Sequence, residues 1–197
     1  MKPSHYVASA VPEGISGEWS IIKVVQPERQ TKHRDKRPKP FRYRAGTYTC
    51  LQRGGTQFMS DLYDEWWTQR EAVEQAARRG GDILITGLGL GLVVEAIFRS
   101  ASDKINSVTI VEYSPDVIAL VADHLLKQFD GRVRIVNADA FHWRPRKKYT
   151  VAWHDIWPDP YGDVVDEEMK RLEKRYSRWC DWQGFWPRTY LEDIALS

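Results

Sequence analysis

A short apolar run that ends in alternating glycines sets the strongest limit on what this chain can fold into. Asp82-Ile83-Leu84-Ile85-Thr86 has the length and character of a strand buried on both faces, and Gly87-Leu88-Gly89-Leu90-Gly91 follows it directly. Glycines at these three places let the backbone turn sharply and approach a ligand with no Cβ in the way. Residues 92–99 continue as an apolar helix, so the segment reads strand, loop, helix, the opening unit of a parallel α/β sheet.

The same alternation carries on downstream. Val108-Thr109-Ile110-Val111-Glu112 is a second buried strand, and Ser114-Pro115 supplies an N-cap and a first-turn proline for a helix with Val117, Leu120, Val121 and Leu125 on one face. Residues 133–136 and 149–153 form the third and fourth strands. Val165, Met169, Leu172 and Tyr176 mark one further helix, and residues 179–182 a closing strand. Strands and helices in this order predict a Rossmann-like α/β fold, mainly parallel, with helices on both faces and right-handed crossovers. Upstream, residues 47–52 and 56–60 flank Gly54-Gly55 as a β-hairpin, and residues 61–79 read as one helix, acidic early and basic late. The expected organisation is an N-terminal extension over residues 1–60 and a Rossmann-like domain over 61–197. About 40 residues follow the fourth strand, too few for the antiparallel pair that often closes such sheets. A C-terminally shortened fold is therefore expected, its site completed by the hairpin, by a second subunit in a homo-oligomer, or not at all.

Composition narrows the classes of function. Twenty-nine basic against 27 acidic residues leave a net charge of +2, so no global field demands a nucleic-acid or membrane partner. The local exception is residues 29–44 within a polar stretch from residue 26 that holds eight Lys or Arg, two acids and three prolines. It reads as a solvated linker or as a contact for nucleic acid or an acidic substrate. Cys50 and Cys180 make no disulfide framework and no metal cluster with the five histidines, and no run approaches a membrane span. A soluble, cytoplasmic protein without a metal is expected.

In sheets of this kind ligands sit at the carboxyl ends of the strands. Glu112 lies 21 positions beyond Gly91 at such an end, where a carboxylate can accept hydrogen bonds from both hydroxyls of a ribose. A dinucleotide fingerprint would require glycine at position 92, which is Leu, so the G-x-G-x-G spacing favours S-adenosylmethionine over NAD. Asp139, after the third strand, is placed to accept an adenine amino group, unless it serves only a turn. Asp155, after the fourth, is either a general base or the cap of the following turn. Strand alternation opposes His154 and Asp155, so at most one of them faces the site.

ILITGLGLG, VTIVEYSPDVIAL, RVRIVNADAF and YTVAWHDIWPDP resemble the successive motifs of class I S-adenosylmethionine-dependent methyltransferases. Within that family the stretch, with its preceding hairpin and helix, is similar to the spermidine-synthase-like branch. MSDLYDEWW and RWCDWQGFW extend the likeness to small methyltransferase-like proteins of phages and actinobacteria. The resemblance implies that Gly87, Gly89 and Gly91 face the methionine part of the cofactor, Glu112 the ribose, Asp139 and Ala140 the adenine, and that Tyr113 flanks the ring. It makes Asp155 the proton acceptor; Asp61, from the N-terminal segment, and Trp157, which either walls an aromatic or cationic acceptor or simply packs, are the candidate acceptor-side residues beside it. Leu90 stands where aminopropyl-transferring relatives carry an acid, which disfavours polyamine synthesis. HDIWPDPY also departs from the tetrapeptide of amino-methylating nucleic-acid enzymes, which weakens base methylation. The implied activity is methyl transfer to an unidentified acceptor. A nucleoside-binding protein of the same fold, acting as a regulatory or assembly partner without transfer, is the alternative.

Overall fold

The computed structural model describes residues 6, 8–27 and 45–195. The basic segment 29–44 lies outside these residues. The N-terminal part is a four-stranded antiparallel sheet in the order β1 (Gly14–Ser16), β2 (Trp19–Gln26), β3 (Gly46–Arg53) and β4 (Thr56–Ser60). The expected hairpin is thus one half of a larger sheet, since β2 pairs with β3 along its whole length, from Trp19 opposite Arg53 to Gln26 opposite Gly46.

The single helix expected over residues 61–79 is two helices, α1 (Tyr63–Thr68) and α2 (Arg70–Arg79). Gln69 separates them with φ −84° and ψ 0°, and its N–H still reaches the Trp66 carbonyl. Local propensity favours one helix here. The break is imposed by tertiary partners of the Gln69 side chain, described below.

The main sheet is wholly parallel: β5 (Gly81–Thr86), β6 (Ile105–Glu112), β7 (Val133–Asn137), β8 (Tyr149–His154) and β9 (Cys180–Phe185), in the spatial order β7-β6-β5-β8-β9. The chain builds outward from β5 to one side, then returns to build the other. That reversal creates a switch point at the carboxyl ends of β5 and β8, where a Rossmann-like sheet holds its ligand. Helices α3 (Leu92–Ala101), α4 (Pro115–Gln128) and α5 (Asp163–Tyr176) follow β5, β6 and β8. Ser114 caps α4 as expected, its Oγ accepting from the Val117 amide. After β9, residues Trp186–Ala195 form α6, with Pro187 in its first turn. Among the described residues no antiparallel strand extends the main sheet beyond β9.

Two apolar cores cover the two faces of this sheet. Ile83, Ile85, Ile110 and Trp153 pack with Ala76 of α2, Val93 and Ile97 of α3, and Val121 and Leu125 of α4. Leu84, Val111 and Ala152 point the other way, onto Val165, Met169, Leu172 and Tyr176 of α5. This is the period-two alternation of a sheet buried on both sides. Trp19, Ile21 and Leu51 of the N-terminal sheet join the first core, which holds that sheet against the carboxyl edge of the main one. No described helix is long and apolar enough to cross a membrane.

Candidate functional site

A cleft of about 490 Å³ opens along the carboxyl edge of the main sheet. That is within the range of roughly 300–1,000 Å³ common for small-molecule sites. Residues at or just after the end of every strand of the main sheet line it: Gly87 to Gly89 after β5, Glu112 to Ser114 at the end of β6, Ala138 to Phe141 after β7, Asp155 to Pro158 after β8, and Trp186 after β9. The N-terminal sheet closes the opposite side with Trp19, Leu51, Phe58 and Met59. The N-terminal segment thus contributes to the site, as one of the readings left open by the sequence has it.

The glycine loop has no room for side chains. Gly87 adopts φ +93°, and a Cβ there would fall 1.8 Å from the Asp155 carbonyl oxygen. Gly89 adopts φ +49° with Met59 Sδ in the space of its missing Cβ, and the same sulfur accepts from the Leu90 amide. Gly91 does not line the cleft. It closes the loop by donating its N–H to the Leu88 carbonyl and starts α3. Leu90 is fully buried in the core.

Glu112 is fixed against this loop. One carboxylate oxygen accepts from the Leu88 amide at 2.7 Å and the other from the Ser114 amide at 2.8 Å. Burial raises its affinity for a proton, and the Ser114, Leu88 and Tyr113 amides oppose that rise. Each oxygen keeps a lone pair for a further donor. Beside it, Tyr113 is 76% exposed and lines the cleft.

Asp139 forms a turn of the Asx type: one oxygen accepts from the Phe141 amide and the other meets His142 Nδ1, both at 2.7 Å. The turn and the cleft position coexist, because a carboxylate offers about four acceptor sites and two are used. Ala140 is buried beside it and accepts from the Tyr176 hydroxyl through its carbonyl.

At the β8 end His154 and Asp155 part, as alternation requires. His154 is completely buried between Thr86 Oγ1 and Gln183 Oε1, and burial lowers its pKa to about 3, so it stays neutral. Asp155 faces the cleft. Its amide donates to the Thr86 carbonyl, and Oδ2 accepts from Gln69 Nε2 at 2.8 Å. Burial pushes its carboxyl up to about 7, against the pull of the Gln69 amide. Trp157 is buried on the cleft wall with its indole N–H bonded to Glu168.

Two further residues belong to this end of the cleft. Glu65 of α1 accepts from both the amide and the hydroxyl of Ser60 through Oε2, and burial with the nearby Asp155 charge raises its pKa to about 8. Gln69 bridges Asp155 and Trp153. Their four-residue spacing puts Glu65 and Gln69 on the same side of the α1 segment, the one hint of this pair in the sequence. The structure does not bring Asp61 to the cleft. Its carboxylate is buried and takes the backbone amides of Ser9 and Thr49, tying the chain before β1 to β3. Among the described residues no group of three or more His, Cys, Asp or Glu is placed to hold a metal ion.

Fold and cleft together define a Rossmann-like protein with its ligand cleft at the topological switch point. No family model and no curated protein matches the sequence. Among solved structures the chain is similar to coclaurine N-methyltransferase bound to N-methylheliamine and SAH, with 15% identity, TM-score 0.48, and 63% of this chain and 35% of that one covered. It is similar to the mitomycin 7-O-methyltransferase MmcR at 16% identity and TM-score 0.47, covering 61% and 35%. A third is an S-adenosylmethionine-dependent methyltransferase from Clostridium acetobutylicum, at 15% identity and TM-score 0.44, covering 58% and 45%. The matched part spans about half or less of the solved proteins at the head of the comparison.

Proposed function

We propose that this chain is an S-adenosylmethionine-dependent methyltransferase of the spermidine-synthase-like branch. The observation that carries the reading is Glu112, held by two backbone amides at the mouth of a glycine loop whose missing side chains leave room for a ligand. A carboxylate so fixed, with one lone pair left on each oxygen, fits a ribose diol. Gly87 and Gly89 would lie along the methionine portion, and Asp139, Ala140 and Tyr113 along the adenine. Bound there, S-adenosylmethionine supplies an electrophilic methyl group on a sulfonium.

Methyl transfer requires chiefly that the acceptor be held close and in line. The aromatic walls formed by Trp157, Trp186 and Phe58 supply apolar surface for that purpose, and Asp155 is the group that takes the acceptor's proton. Among the described residues, Arg53, Glu65, Glu112, Asp139, Asp155 and Glu168 are the charged residues on the wall, and the single cation of this set is paired with Glu18. Leu90 is buried away from the cleft and brings no acid to the loop, which argues against aminopropyl transfer. The test is calorimetric titration with S-adenosylhomocysteine, followed by incubation with labelled cofactor and pools of neutral and amine acceptors. Labelled product supports the assignment, and binding without any label transfer would reduce the protein to a nucleoside-binding module.

A further inference from the structure

Gln69 interrupts a helix that local propensity would leave whole, and its side chain is buried between two partners. Its Oε1 accepts from Trp153 Nε1 at 2.8 Å, and its Nε2 donates to Asp155 Oδ2 at 2.8 Å. Chemistry alone fixes which end of the amide faces which partner. An indole N–H only donates, so the oxygen must face Trp153 and the NH₂ must face Asp155. Trp153 cannot turn away, because it is fully buried on β8 and stacked on Trp182 with ring centroids 6.4 Å apart. The order of donors therefore runs one way, from indole to amide to carboxylate. Asp155 Oδ2 is held as an acceptor, and a proton on this carboxyl belongs on Oδ1.

We propose that Gln69 is a positioning residue which commits Asp155 Oδ1 to the cleft as the atom that takes the acceptor's proton. The proton leaves the acceptor atom for Oδ1, and its bonding pair stays on the acceptor. Glu65 has a parallel arrangement: Ser60 occupies Oε2 with two donors, so its own proton belongs on Oε1. Asp64 adds to the negative field at Glu65, and among the described residues Glu168 from α5, Glu112, Asp139 and Arg53 are the other charged groups on the wall. Burial raises both carboxyls, Asp155 to about 7 and Glu65 to about 8.

The role of Oδ1 as proton acceptor rests on the transferase reading, whereas the orientation by Gln69 rests on geometry alone. The experiment is carboxyl-carbon NMR titration of the full protein with ¹³C-labelled aspartate, without cofactor, with Asp155→Asn used to assign the resonance. Gln69→Met removes the donor and should raise the Asp155 midpoint by about 1–2 pH units, the worth of one hydrogen bond to a charged oxygen. Trp153→Phe leaves Gln69 in place and frees its amide to turn, so it should raise the midpoint in the same direction by a smaller amount. Gln69→Glu should make the Trp153 indole N–H resonance titrate with the new carboxyl. A merely structural Gln69 would leave the Asp155 midpoint unmoved in both Gln69→Met and Trp153→Phe, and that result overturns the proposal. Titration with S-adenosylhomocysteine in parallel separates the two claims: no heat would sink the methyltransferase reading and leave the orientation of Asp155 standing or falling on its own midpoints.

Discussion

Replacing Asp155 by asparagine should stabilise the folded protein at alkaline pH and leave its stability almost unchanged in acid. The folded carboxyl titrates at about 7 against an ordinary value of 3.8, so the native state keeps a proton that the unfolded chain has released across that window. Stability therefore falls as pH rises from about 4 through 7, and the full penalty is present above the folded pKa. A shift of about three units corresponds to about 4 kcal/mol, and water in the cleft should reduce this to about 2 kcal/mol. Asparagine keeps an oxygen for Gln69 Nε2 and never ionises, so the variant escapes the penalty. For a chain of this size about 2 kcal/mol is a rise in Tm of about 4–8 °C. The assay is thermal or urea unfolding at pH 8.5 and pH 4, with wild type alongside. A variant no more stable than wild type at pH 8.5, or one that gains as much at pH 4, would refute the buried setting assigned to this carboxyl.

Glu65→Gln should show the same pattern, with its gain growing until pH passes about 8 and full above that, because burial and the Asp155 charge both favour the protonated form there; the same unfolding series reads it. Gly87→Ala should lower stability by about 2–4 kcal/mol, since a left-handed φ and a Cβ at 1.8 Å from the Asp155 carbonyl add together. Urea denaturation measures that loss. Asp61→Ala should cost about 2–5 kcal/mol by stranding the Ser9 and Thr49 amides, yet leave the affinity for S-adenosylhomocysteine unchanged. Weaker binding in a folded Asp61→Ala protein would place that residue in the site after all.

The legible parts of the site are those that strand order alone positions. Glycine loop, Glu112, Asp139 and Asp155 each follow a buried strand, and in a parallel sheet all such positions share one edge. His154 and Asp155 separate for the equally local reason that adjacent strand residues face opposite ways. Gln69 was hidden because the helix break depends on a tryptophan 84 positions away that needs an acceptor for its N–H. Glu65 looked like an ordinary first-turn acid, and only its distance of four residues from Gln69 hinted at a shared face. Asp61 offered an acid near the right helix, but two backbone amides use its oxygens, a demand that sequence does not display. The strands β1 and β2 were obscure because Trp19-Ser20-Ile21-Ile22-Lys23-Val24-Val25 has apolar residues in adjacent pairs rather than in clean alternation.

Titration calorimetry of S-adenosylhomocysteine against wild type and Glu112→Ala tests the central claim most directly. Losing a carboxylate that binds two ribose hydroxyls should weaken affinity by about 3 kcal/mol, or roughly a hundredfold. Wild type should bind, and a folded Glu112→Ala protein should bind at least tenfold more weakly. Equal affinity in the two proteins, or no binding to wild type, would contradict the assignment of this cleft to an adenosyl cofactor.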